Sequence, residues 1–173
     1  MIKIGKDIAK AVQKLKKGGI VVIPTETVYG LGANATRTES VKKIFKLKKR
    51  PKNDPLICHV NSLDKVRNYV KNIPKNAQIL AEKFWPGPLT IIFEKNNLIL
   101  DITTSNLTSV AFRVPQKTIT LKVLEPTWIQ IRSNQDSIIY SKLMDKNDEY
   151  TYSIKDQYSL TTGNAGNILV LIN

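Results

Sequence analysis

Ile20-Val21-Val22-Ile23 runs directly into Pro24-Thr25-Glu26-Thr27-Val28-Tyr29-Gly30, and this junction constrains the fold more than any other stretch. Four branched apolar residues in a row read as a buried strand, and Pro24 stops it because proline cannot donate to a ladder. The polar turn that follows then sits at the carboxyl end of a sheet strand, where open α/β folds bind ligands. Thr25 and Thr27 supply hydroxyls that both donate and accept, suited to a carboxylate, an amine or a phosphate oxygen. Glu26 is acceptor-only when ionised, so beside an anionic ligand it calls for a cation such as magnesium or a lysine. Taken alone, the stretch reads as a capped turn with Tyr29 packed into the core.

A second stretch, Ile44 to Val60, places Lys46, Lys48, Lys49, Arg50 and Lys52 ahead of a short apolar strand, Leu56 to Val60, that holds the chain's single histidine, His59, and single cysteine, Cys58. With GGIVVIPTETVYGLGANA (18–35), KKRPKNDPLICHV (48–60), FWPGPLT (84–90) and SVAFRVP (109–115) in this order, the chain resembles the Sua5/YrdC/YciO/YwlC family, whose members make threonylcarbamoyl-AMP for tRNA modification. The resemblance covers residues 5 to 115. It implies an enzyme, a nucleotidyltransferase joining L-threonine, bicarbonate and ATP with release of pyrophosphate, with Mg2+ accompanying the triphosphate and no metal held by the protein itself. It further implies RNA or tRNA contact and downstream tRNA threonylcarbamoyltransferase proteins as partners. By the same resemblance Thr25, Thr27, Tyr29, His59 and Arg113 bind threonine, while Lys48, Arg50, Asp54 and Ser109 bind the nucleotide. Lys48 and Arg50 carry the catalytic charge, and the threonine turn and this pair are expected to face one cleft.

The residues support parts of this independently. Arginine can grip a phosphate with two parallel hydrogen bonds, and lysine acts as a compact charge. Arg113 alternates with Ala111 on an apolar strand, where a cation needs an anionic partner. Lys49 and Asp54 depart from the family pattern, and an acidic Asp54 works against ATP. Cys58 reads as a core side chain, since one cysteine cannot form an internal disulfide and free cysteine is usually buried. Trp85 to Pro88 reads as a stiff corner.

Alternating helical and strand patterns predict an α/β fold with a twisted, mixed parallel and antiparallel sheet flanked by helices. Helices are expected over 6–17, stopped by Gly18-Gly19, from a Thr36/Glu39 capping box to an end at Pro51, from Ser62 through Val70, and over 77–84. Strands are expected at 89–93 and 109–114. The chain is long enough for one domain and has no apolar run that spans a bilayer, which points to a cytoplasmic protein with no membrane partner. Residues 1–115 hold 21 Lys and Arg against 8 Asp and Glu, whereas 116–173 hold 6 against 6, so the whole net charge of +13 lies in the family-like part. That excess favours nucleotide phosphates or RNA, and an RNA-binding module or a non-catalytic remnant are the alternative readings.

Residues 1–120 read as the family-like domain and 121–173 as an atypical, poorly packed continuation. Leu121, Val123 and Leu124 fit a short helix, and no sustained period follows until Ile168–Ile172. The family's Pro-Ser-Ala-Asn block is missing. Two explanations follow, a diverged but functional ending or, from about residue 125, a degraded or out-of-frame one; the fall in charge and periodicity favours the second and with it an impaired synthase.

Overall fold

The computed structural model describes residues 7–23, 25–154 and 158–172. The chain divides into two compact units, Met1–Pro115 and Gln116–Asn173, a few residues ahead of the expected boundary at 120. Each is described separately.

The first unit begins with helix α1 (Ile8–Lys16), capped by the Asp7 carboxylate, which accepts from the Lys10 amide at 3.0 Å. The expected glycine stop is present: Gly18 has φ +74°, its N–H donates to the Leu15 carbonyl, and that of Gly19 donates to the Lys14 carbonyl. These two bonds form a Schellman motif, which needs a residue without Cβ at the left-handed position. Strands β1 (Val21–Ile23) and β2 (Gly30–Gly32) then pair antiparallel, with Ile23 opposite Gly30, so residues 25–29 lie in the turn of a hairpin.

Helix α2 (Thr38–Lys48) buries Ser40, Val41, Ile44 and Phe45 on one face. Its N-cap is Arg37 with no side-chain bond, whereas Thr36 turns back onto the Asn34 carboxamide, so the expected capping box does not form. The helix ends at Lys49 in the left-handed region, φ 49°, before Pro51 acts. Strand β3 (Ile57–His59), α3 (Leu63–Arg67), α4 (Lys75–Phe84), β4 (Ile91–Glu94), α5 (Asp101–Thr104) and β5 (Ser109–Arg113) complete the unit. Ser62 caps α3 as expected, but that helix stops at Arg67, short of Val70. The corner after α4 contains a cis Trp85–Pro86 bond, and the Trp85 indole donates to the Leu89 carbonyl at 2.6 Å.

The sheet has the order β3-β5-β4, with β3 parallel and β4 antiparallel to β5. Period-two alternation sends Cys58, Val110, Phe112, Ile91 and Phe93 into a core with Val66, Val70, Ala81 and Ile99. The opposite face carries Ile57, His59, Ser109, Ala111, Arg113, Ile92 and Glu94, and of these Ile57, His59, Ile92 and Glu94 are exposed. Burial pushes the Cys58 thiol up to about 11. Almost no thiolate therefore exists at pH 8, and Cys58 is expected to resist iodoacetamide in the folded protein and to react at once in 6 M guanidinium. Rapid alkylation of the native chain counts against a core position.

The second unit corrects the expectation of a poorly packed continuation. Strands β6 (Thr118–Val123), β7 (Thr127–Ser133), β8 (Ile138–Met144), β9 (Glu149–Ser153), β10 (Tyr158–Thr162) and β11 (Ile168–Ile172) form two antiparallel sheets, ordered β10-β7-β8 and β11-β6-β9. Leu121, Val123, Ile129, Ile131 and Met144 are almost completely buried. Residues 121–123 belong to a strand rather than a short helix. On β7, Thr127, Ile129 and Ile131 face inward while Trp128, Gln130 and Arg132 face out, so a polar residue inside and a large apolar one outside break the alternation at its start. Tyr140 stacks on Tyr150 with ring centroids 3.8 Å apart, and Tyr152 and Tyr158 continue the aromatic cluster. The buried core and the paired ladders of this unit support one another, as a foldable sequence requires. Among the described residues no helix is long and apolar enough to cross a membrane.

Candidate active site

The hairpin turn meets the end of β5. Arg113 NH2 donates to Thr27 Oγ1 at 3.0 Å and lies 2.9 Å from Glu26 Oε1. Both charged side chains are buried, 11% exposed for Arg113 and 9% for Glu26. Among the described residues the cation beside Glu26 is Arg113. The pairing joins residues 87 apart in the chain and leaves no local signal. Only the isolated arginine on an apolar strand hinted at it.

The Glu26 contact is an ion pair without an aligned hydrogen bond. Both Glu26 oxygens and Arg113 Nε are buried and lack hydrogen-bond partners. His59 stands opposite Arg113 in the parallel register of β3 and β5, on the same open face. Desolvation, with the Arg113 charge second, lowers its pKa below 6.5, while Glu26 acts in the opposite sense. The imidazole is therefore neutral at pH 7 and able to accept a hydrogen bond.

Thr25 serves the turn. Its hydroxyl donates to the Val28 carbonyl at 2.7 Å, accepts from the amides of Thr27 and Val28, and lies 3.1 Å from Thr27 Oγ1. Those bonds use its donor and its lone pairs, so Thr25 shapes the turn and Thr27 presents the hydroxyl. Tyr29 is 69% exposed and does not enter the core.

The basic pair lies elsewhere. Arg50 follows the left-handed Lys49, and its Nε and NH2 bond the Asp54 carbonyl, the Asp54 carboxylate (2.7 Å) and the Pro55 carbonyl. Asp54, expected at the nucleotide, here holds the arginine. NH1 of Arg50 has no partner among the described residues, and Lys48 is exposed on the last turn of α2. No hydrogen bond or ion pair among the described residues joins Arg50 to the Thr25–Thr27 turn, so the expected single cleft is not formed by direct contacts. Two shallow clefts, one lined by Arg67 to Ile73 and one by Val12, Leu15, Lys16, Ala33 and Asn34, lie away from both groups. Ser109 shares the open face with Arg113 but sits four residues earlier on β5, about 13 Å away. Parallel pairing puts Ser109 toward the Pro55 end of β3, so the candidate nucleotide and threonine residues occupy opposite ends of one strand pair.

The Sua5/YciO/YrdC family model, described as "Telomere recombination", matches residues 13–160. The chain belongs to this family. The match extends past residue 115, where the motif resemblance stops. Threonylcarbamoyl-AMP synthase of Pyrococcus abyssi is 45% identical over 111 residues, which is 64% of this chain and 33% of that protein. The Bacillus subtilis synthase is 38% identical over 125 residues, 72% of this chain and 36% of the relative. This Sua5-family chain thus spans about a third of the length of these curated relatives. The crystal structure of P. abyssi Sua5 complexed with L-threonine superposes with a TM-score of 0.61 at 44% identity, over 62% of this chain and 32% of that one. E. coli YciO, 23% identical with a TM-score of 0.57, shares the fold.

Proposed function

We propose that this chain binds L-threonine at the Thr27–Arg113–His59 corner and acts as a threonylcarbamoyl-AMP synthase, forming the adenylate used for threonylcarbamoylation of tRNA. One observation carries the reading: a buried, ion-paired arginine meets a threonine hydroxyl in a chain 44% identical to a protein crystallised with L-threonine. Arg113 NH1 is the free edge of that guanidinium and suits the amino acid carboxylate. Neutral His59 accepts from the amine, and Thr27 fixes the remaining orientation. Tyr29, exposed beside them, supplies contact area.

Bicarbonate and the amine condense to a carbamate with loss of water. A carbamate oxygen then attacks the α-phosphorus of ATP and pyrophosphate leaves. Lys48 and Arg50 NH1 neutralise the phosphates and the charge that grows during attack, with Ser109 on the nucleotide side. Mg2+ is counted with the triphosphate that carries it. No covalent protein intermediate is needed, so positioning and electrostatics supply the rate. The basic excess of the first unit leaves room for tRNA contact, with downstream threonylcarbamoyltransferase proteins consuming the product in the cytoplasm.

The test is threonine- and bicarbonate-dependent pyrophosphate release together with threonine binding by calorimetry. Turnover is expected below that of a full-length relative, because the Pro-Ser-Ala-Asn block is missing, while threonine binding remains. Lys48→Ala and Arg50→Ala should each lower turnover about 100-fold and leave threonine affinity unchanged. A protein that neither binds threonine nor releases pyrophosphate overturns the reading.

A further inference from the structure

We propose that Glu26 is a positioning residue, holding Arg113 toward the open sheet face and setting the charge that His59 experiences. The proposal rests on the reading of Arg113 as the carboxylate-binding group. Glu26 is nine-tenths buried, 2.9 Å from Arg113 NH2, and both of its oxygens lack aligned hydrogen bonds. An ionised carboxylate in that setting has Arg113 as its charge partner, and the electrostatic attraction restrains the guanidinium. Arg113 divides NH2 between Thr27 Oγ1 and Glu26, which leaves NH1 as the edge available to a ligand. Without the Glu26 charge, the guanidinium keeps one neutral hydroxyl as its anchor and is free to rotate.

The charged groups acting on His59 are Arg113 and Glu26, with opposite effects on its protonation. Removing the Glu26 charge leaves the Arg113 effect unopposed, so the histidine should become harder to protonate. A purely structural glutamate, serving only to fill its site, leaves this balance alone when replaced by a near-isosteric neutral residue.

The experiment compares the full chain with Glu26→Gln and Glu26→Asp, with near-UV circular dichroism confirming the fold. The His59 ring is titrated by NMR, and L-threonine binding is measured by calorimetry. For Glu26→Gln the His59 midpoint should move to lower pH, and threonine affinity should fall about tenfold, as for loss of one charge-assisted restraint. Glu26→Asp should restore part of both, and the affinity for ATP should stay within about twofold. An unmoved His59 midpoint in Glu26→Gln overturns the proposal, whether or not any variant binds threonine. Unchanged threonine affinity in Glu26→Gln, with binding lost in Arg113→Ala, overturns the proposal and leaves the proposed function standing. Threonine binding that persists in Arg113→Ala defeats the functional reading instead.

Discussion

Arg113→Ala is expected to abolish measurable threonine binding and to lower stability by about 3–5 kcal/mol, because it leaves the Glu26 carboxylate buried without its counter-charge. The larger part of that loss is the penalty on the glutamate. The double variant Arg113→Ala/Glu26→Gln should therefore regain most of the stability while remaining unable to bind threonine. Urea denaturation checks the first statement and calorimetry the second. A loss under about 1 kcal/mol in the single variant means that water reaches Glu26 and that the pair is effectively a surface contact.

Ile131→Ala is expected to cost about 2–5 kcal/mol, since the side chain is fully buried between strands of the second unit and its removal leaves a cavity. A short all-β unit has little stability to lose, so this one change should melt it at room temperature. The tyrosine near-UV signal from the stacked Tyr140 and Tyr150 should collapse. Cys58, in the separate core of the first unit, should remain protected from alkylation. If Cys58 becomes reactive at the same time, the two cores unfold as one and the division at residue 115 has no energetic meaning.

The first unit was legible where the signal was local. The Gly18-Gly19 stop, the Ser62 cap and the alternation that buries Cys58 and Phe112 each depend on residues within one turn or one strand. The Thr36 cap was misplaced by one residue because Asn34 offers a nearer acceptor for its hydroxyl and amide. In the second unit the outer positions of the strands are mixed, as on β8, where Ile138, Ser141, Lys142 and Leu143 are all exposed. Such strands take their inward pattern from the partner sheet, which a linear reading does not contain.

The candidate site divides in the same way. Thr27, His59 and Arg113, named from the motifs, gather at one corner. The Glu26–Arg113 pair was missed because it links residues far apart in the chain. The Thr25 hydroxyl, a ligand candidate by resemblance, spends its bonds inside its own turn, nearest on the Val28 carbonyl. Arg50 was expected to look into the cleft, but Asp54 lies four residues on, within reach of its guanidinium.

The outermost strand β11, Ile168-Leu169-Val170-Leu171-Ile172, has one neighbour, β6, and leaves Leu169, Val170 and Ile172 open to solvent. It lies in the C-terminal third of the polypeptide, whose acidic and basic residues cancel. Electrical repulsion, which keeps the lysine-rich part of neighbouring molecules apart, is missing along this unpaired edge. Concentrated solutions will therefore begin to stick along this rim, and added salt will do little to alter the onset.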